Sequence, residues 1–440
     1  MTLTVDSFWT KSKLLATLAL PMIVSNITIP LVGIVDVAVV GHLSSTEKLA
    51  GVSLGALIVT QIIWLCGFLR MSTTGFSAQA KGADDASRSQ EILQQALSIA
   101  LLIGVALILL QAPLFSLGVW LANADAYTHA VAQQYYAIRI WGAPFSLANL
   151  VLVGWLLGQQ QHKNVMRWQV YCSVLNMLLS YLLAFPADLG VTGVAIATVV
   201  SECVLFICCS QSVRACGYQP FKMGTTQNLT FMNMLSSHRH MFLRNLVLQG
   251  CLAFISYSGL RLGAEYGAVN AILMQFFVLI ALGLDGLAYA IESLIGEAYG
   301  KRDSRRLHFW VKLGLFWSTL VAVVYSLVFW LAGDVILSLL TNIVEVRELA
   351  AEFMIYIVLL PLLAHWCFLF DGIYIGLGRA KGMRDTMLIS ALIGLFPVWY
   401  IAQPLGNDGL WLSFLVFLLM RGLTMGWHYR LLYKHYKLLA

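Results

Sequence analysis

The sequence predicts an all-α integral membrane protein with twelve transmembrane helices. They form two six-helix lobes related by a pseudo-twofold axis along the membrane normal. Three observations carry this. First, 60% of the 440 residues are hydrophobic and only 11% are charged, against about 25% charged in soluble domains. Second, apolar runs long enough to cross a bilayer, ~20 residues each, follow one another from end to end. Third, the second half repeats the first in outline.

The runs place helices at about 14–41, 49–78, 91–120, 131–158, 165–186, 190–213, 239–262, 268–297, 307–333, 349–378, 385–404 and 408–433. Lysine and arginine are strongly biased to one set of connections, including Lys11, Lys81, Lys163, Arg214, Lys301 and Arg379. Only Lys48, Arg261 and Arg347 fall on the other side. The positive-inside rule therefore predicts cytoplasmic N- and C-termini. It counts Arg239 and Arg244 as cytoplasmic and leaves Arg70, Arg139 and Arg421 inside spans. The net charge of +6 thus reads as topology and not as a nucleic-acid surface.

The longest polar connection gives the boundaries: an N-terminal lobe over 1–213, a cytoplasmic linker over 214–238 and a C-terminal lobe over 239–440. A shift of 218 residues lays Gln79-Ala80-Lys81-Gly82 on Glu297-Ala298-Tyr299-Gly300. The same shift lays Gly154 and Gly158 on Gly372 and Gly376. A shift of 216 lays Gly190 and Gly193 on Gly406 and Gly409. Several matches near one register mark an internal repeat. Six helices per half give both halves the same orientation, which points to a substrate path at the interface of the two lobes.

The eight cysteines contain no C-x-x-C pair and sit mostly inside apolar runs, so they read as small buried hydrophobes. The nine histidines show no metal-ligand spacing. No metal, cofactor or catalytic residue is expected, and Ser/His and paired-aspartate motifs are absent. An enzyme is disfavoured accordingly.

The chemistry concentrates in Leu14 to His42, which carries Pro21, Pro30 and Asp36. Each proline lacks an N–H and clashes with the carbonyl four residues back, a natural place for a membrane helix to bend. A carboxylate within a membrane helix costs ~2.5–3.5 kcal/mol on insertion scales and is functional by default. Proton binding at Asp36 would remove that charge, and the prolines let helix one respond. Asn176 and Ser180 share a helix face, as do Thr198 and Glu202. In the second half, Asp285 and Glu292 lie nearly on one face of helix eight, and Asp371 lies within helix ten. The 218-residue shift puts Phe254 opposite Asp36, so the site itself is not duplicated.

The runs LALPMIVSNITIPLVGIVDVAVVGHL (Leu18 to Leu43), GAVNAI (Gly267 to Ile272), GEAYG (Gly296 to Gly300) and LGVTGVAIATVVSE (Leu189 to Glu202) resemble the multidrug and toxic compound extrusion (MATE) family. RMSTTGFSAQA (Arg70 to Ala80), LDGLAYAIES (Leu284 to Ser293) and DGIYIG (Asp371 to Gly376) are similar to its DinF branch. The resemblance implies two six-helix lobes and export of amphipathic, often cationic compounds against uptake of H⁺ or Na⁺. It implies a cation site at Asp36 completed by Asn176 and Thr198, with Ser180 as a further candidate beside them. Here the family's N-x-x-x-D reads Asn176-x-x-x-Ser180. The missing carboxylate weakens a Na⁺ site, while a proton needs only one.

The reading is therefore an H⁺-coupled multidrug antiporter of the inner (plasma) membrane, acting as a monomer by alternating access. Asp371, Asp285 and Glu292 are second-lobe candidates. Na⁺ coupling and a lipid-linked precursor flippase are the alternatives.

Overall fold

The computed structural model describes residues 5–42, 46–122, 125–220 and 228–434. Part of the expected linker, 221–227, and the basic Lys222 and Lys437 lie outside the described residues. Among the described residues there is no strand, and twelve helical rods follow one another.

Rod one is α1 (Val5–Gly41). Rods two to four are each built from two helices: α2 (Thr46–Leu65) with α3 (Phe68–Gly82), α4 (Ala86–Leu109) with α5 (Gln111–Ala122), and α6 (Ala126–Arg139) with α7 (Ala143–Gly158). Rods five and six are α8 (His162–Ala184) and α9 (Gly190–Ala215). Rods seven to nine are α10 (Asn228–Arg261), α11 (Ala264–Gly300) and α12 (Ser304–Leu340). Rod ten is α13 (Val344–Glu352) with α14 (Met354–Leu377). Rod eleven is α15 (Ala380–Ile389) with α16 (Phe396–Ala402), and rod twelve is α17 (Asn407–Lys434). Ten rods are long and apolar enough to span a membrane. Rods five and seven are more polar but reach 23 and 34 residues, and the chain is a multi-pass membrane protein.

The interruptions have local causes. Pro113 cannot donate to the carbonyl of Leu109, and α4 ends at that residue. A 3-10 turn at Ile140–Gly142 precedes Pro144. A π-helical turn at Ser390–Leu395 absorbs the carbonyl of Ile393, which Pro397 leaves without its usual donor. At the α2–α3 break, Cys66 and Gly67 still donate to Ile62 and Trp64, so the turn leaves these N–H groups satisfied within an apolar rod. In contrast, α1 runs helical through both Pro21 and Pro30.

The chain forms two compact units. One comprises Val24–Leu235, the other Met1–Ile23 with Ser236–Ala440. This grouping differs from the sequence boundaries in helix one and the linker. The first turns of α1 pack with the second-half helices: Phe8 meets Phe316 edge-on, and Trp317 Nε1 donates to Ser12 Oγ at 3.1 Å. The second unit has an aromatic core that includes Phe276, Phe329, Trp411 and Phe414. In the first unit, buried apolar clusters gather around Val40, Val194 and Tyr135, and around Phe115 and Tyr136.

The repeat is present in three dimensions. A Cβ on Gly154 would lie 2.6 Å from the carbonyl of Arg70, and one on Gly372 would lie 2.5 Å from that of Ala288. Positions 70 and 288 are themselves 218 apart. Gly158 and Gly376 likewise rest against the carbonyls of Thr74 and Glu292, again 218 apart. Glycine here lets α7 approach α3, and α14 approach α11, backbone to backbone. The left-handed residues repeat too: Asp84 (φ 52°) with Arg302 (φ 54°), and Gln160 (φ 61°) with Gly378 (φ 67°). Beyond the first pair, Asp85 and Asp303 cap α4 and α12 by accepting from the N–H groups of Arg88 and Arg306, each at 2.9 Å.

Candidate functional site

In the first unit, α1 presents Asp36 to α8. Ser180 Oγ donates to Asp36 Oδ1 at 2.7 Å. One turn earlier on α8, Asn176 is buried, and its Oδ1 has no hydrogen-bond donor. Asp36 thus meets a hydroxyl, and an amide oxygen with unused acceptor capacity lies one turn along α8. No ion pair is described for Asp36, although the Arg139 guanidinium is near enough to act on it. Thr198 turns its hydroxyl back to the carbonyl of Val194 on its own helix, at 3.1 Å. Asp36 and Ser180 therefore come together on two helices, with Asn176 one turn away on α8, while Thr198 makes no described contact with them.

Glu202 is committed elsewhere. Arg139 on α6 grips it with two parallel bonds of 3.0 and 2.7 Å, the bidentate geometry that makes such pairs strong. Asn149 on α7 donates to the Glu202 carbonyl at 2.9 Å. The pair ties α6, α7 and α9 together and leaves Asp36 as the carboxylate of this region without a described counter-ion.

The second unit holds a different arrangement. Asp371 Oδ2 on α14 accepts from Arg421 on α17 at 2.9 Å, and also from Arg244 on α10. Both arginine side chains are 4% exposed. Arg244 also donates to Asn245 Oδ1 at 2.9 Å. Asp285 on α11 is close enough to act electrostatically on both guanidinium groups. Glu292, also on α11, is fully buried. Arg244 and Arg421 with Asp371 and Asp285 thus set two positive against two negative groups inside the protein.

This corrects one expectation. Arg244, counted among the cytoplasmic arginines, is a buried partner of Asp371. It sits 16 residues into α10, deeper than the hydropathy boundary near 239 suggested. The signal that could have found it is the spare carboxylate: a buried Asp371 needs a cation, and Arg421 alone leaves Asp285 without one.

The class of protein follows from these features: an integral membrane protein built as an internally duplicated helical bundle that carries buried charge. The MatE family model matches residues 21–182 and 241–400, one stretch per half. The DNA damage-inducible protein F of Escherichia coli strain K12 is 40% identical over 426 residues, covering 95% of this chain and 92% of that protein. A probable multidrug resistance protein NorM of Photorhabdus laumondii is 25% identical over 418 residues, covering 91% and 88%. Among solved structures, a MATE transporter in its bent conformation superposes with a TM-score of 0.88 at 20% identity, covering 97% of this chain and 96% of that one. The chain belongs to the MatE family, the ion-coupled transporters for multidrug and toxic compound efflux.

Proposed function

We propose that this protein is an H⁺-coupled exporter of amphipathic organic cations, with Asp36 as the proton site. The observation that carries the reading is the contrast between the intramembrane carboxylates. Glu202 and Asp371 are each held by arginine. Asp36 has a serine hydroxyl on one oxygen and no described ion pair. A carboxylate held by arginine has its charge already offset and gives little response to an arriving cation. One held by a hydroxyl changes the local charge outright when a proton binds.

The same contrast speaks against Na⁺. Around Asp36 the second carboxylate of the family pattern is replaced by Ser180, so a bare cation would find one negative charge. At Asp371 it would approach two guanidinium groups, and like charges a few ångströms apart repel strongly where the dielectric is low. Asn176 and Ser180 belong to the Asp36 site as polar partners, and Thr198 joins them if α9 shifts during the cycle. Asp371, Asp285 and Glu292 serve the second lobe as fixed framework charges.

In this reading, proton binding releases Ser180 from the charged carboxylate. Helix one then bends at Pro21 or Pro30, where the carbonyls of Thr17 and Asn26 lack their usual donors. The two lobes, 1–213 and 239–440 joined by the linker 214–238, open the substrate path alternately to each side of the membrane. The protein works as a monomer in the inner membrane with both termini cytoplasmic.

The test is ethidium transport in proteoliposomes under an imposed pH gradient or an imposed Na⁺ gradient, for wild type and Asp36→Asn. Transport driven by the pH gradient alone and lost in Asp36→Asn is the expected result. Wild-type rates in Asp36→Asn would sink the proposal. Drive by Na⁺ alone would move the coupling site elsewhere, and lipid scrambling without ethidium movement would point to a flippase.

A further inference from the structure

A cavity of about 940 Å³ lies in the second unit between α12, α14, α15 and α17. Its residues recur at helical spacing: His308, Val311, Lys312 and Leu315 on α12, and Met420, Leu423, Trp427 and Arg430 on α17. Each set is a single helix face. Glycines in its wall let α17 pack close against α14. A Cβ on Gly422 would meet the Cβ of Trp366 at 3.0 Å, and one on Gly426 would meet the Phe370 ring at 3.3 Å.

The cavity is graded along its length. From Met420 to Arg430 the α17 wall runs ~15 Å at 1.5 Å per residue. One part is apolar, lined by Leu315, Trp366, Phe370 and Ile389, of which Phe370 is buried. Its other end is polar and basic. Lys312 and Arg430 are exposed there, and neither has a described ionic partner. The one carboxylate in the lining, Asp385, is already engaged by the guanidinium of Arg384, at 2.8 Å from its Nε. Trp427, 67% exposed, and Leu423, 45% exposed, continue the apolar wall onto the outer surface.

An apolar slot that opens sideways and ends in two uncompensated cations fits a molecule with a hydrocarbon chain and a negative head. We propose that this groove is a binding site for an anionic phospholipid of the surrounding bilayer. An acyl chain would lie along Leu315, Phe370 and Met420, and the phosphate would sit between Lys312 and Arg430. Basic pockets between membrane helices hold anionic head groups in this way. Near a membrane surface each Lys or Arg contributes ~1 kcal/mol to such binding. Loss of both would weaken it about thirtyfold.

The experiment is native mass spectrometry of the full chain in detergent, titrated with phosphatidylglycerol or phosphatidylcholine of identical acyl chains. Wild type is expected to retain phosphatidylglycerol in preference. Lys312→Gln with Arg430→Gln should lose that preference by about thirtyfold. Arg302→Gln with Arg305→Gln, exposed bases outside the lining, should keep it. Equal retention of the two lipids by wild type, or an undiminished preference in the groove variant, would overturn the proposal. So would a dimer trapped through Trp427→Cys, which would make a second copy the occupant. If the groove variant does not fold, photoactivatable phosphatidylglycerol on the unaltered protein decides: labelling within residues 420–431 supports the site, and labelling elsewhere refutes it.

Discussion

Replacing Asp371 by Asn tests whether the charge cluster of the second unit is framework or machinery. The Asn side chain keeps the shape and one carbonyl oxygen but removes the negative charge. Arg244 and Arg421, each 4% exposed, now share Asp371 Oδ2. After the substitution they would face each other with Asp285 as the remaining counter-charge. Breaking a buried pair by removing one partner costs about 3–5 kcal/mol. Domains of 150–250 residues shift their melting temperature by about 2–4 °C per kcal/mol. The second unit is of that size, so Asp371→Asn should lower the Tm of the purified protein by about 6–20 °C. Adding Arg421→Gln removes the orphaned cation and should recover part of the loss, a coupling that a double-mutant cycle in thermal unfolding measures directly. An Asp371→Asn protein that melts within 2 °C of wild type would refute a framework role for the cluster. A variant that is stable yet inert in transport would instead make Asp371 a working group of the cycle.

Three further outcomes follow from the geometry. Ser180→Asp places a second carboxylate beside Asp36 and should increase the dependence of ethidium transport on a Na⁺ gradient relative to wild type; unchanged ion dependence in proteoliposomes would refute this. Gly154→Ala and Gly372→Ala each push a methyl into a carbonyl 2.6 or 2.5 Å away, and should each cost about 1–3 kcal/mol in thermal unfolding. Gly250→Ala, whose Cβ would meet nothing within 4 Å, should not. The backbone N–H of Arg88, helped by the Ser87 hydroxyl, holds the Asp85 carboxyl below its ordinary range. A depressed carboxyl contributes stability that is present above the ordinary value of 3.8 and is lost as pH falls through the folded one. Amide exchange in the first turn of α4 should therefore rise, relative to its mid-helix amides, as pH drops below about 4. Asp85→Ala should raise it at every pH, at a cost of about 1 kcal/mol.

The rods and the repeat were legible because both rest on local signals. Hydropathy marks each span, and the glycines at 154, 158, 372 and 376 mark where backbones touch. The interruptions were hidden because apolar character runs unbroken through Cys66-Gly67 and through Ser390–Leu395. At the site, helical spacing put Asn176 and Ser180 on one face, and the structure sets Ser180 against Asp36. The partners of the other carboxylates could not. Arg139 and Glu202 are 63 positions apart, and Arg244 and Asp371 are 127 apart. Nothing in local composition says which of several buried arginines a given carboxylate will meet. Arg244 was misplaced for a related reason: a lysine- and arginine-rich boundary looks the same whether its last arginine snorkels outward or turns in.

The left-handed residues before α4 and α12, and after α7 and α14, have one more consequence. Asp84 and Arg302 share a backbone conformation without sharing a side chain, and so do Gln160 and Gly378. Side chains have diverged at these corners, yet the path of the main chain has been kept. Each half is therefore a mould of the other: the same corner is turned by Gln160 in one copy and by Gly378 in its twin, so a glycine at 160 is expected to leave the path of the chain as it is.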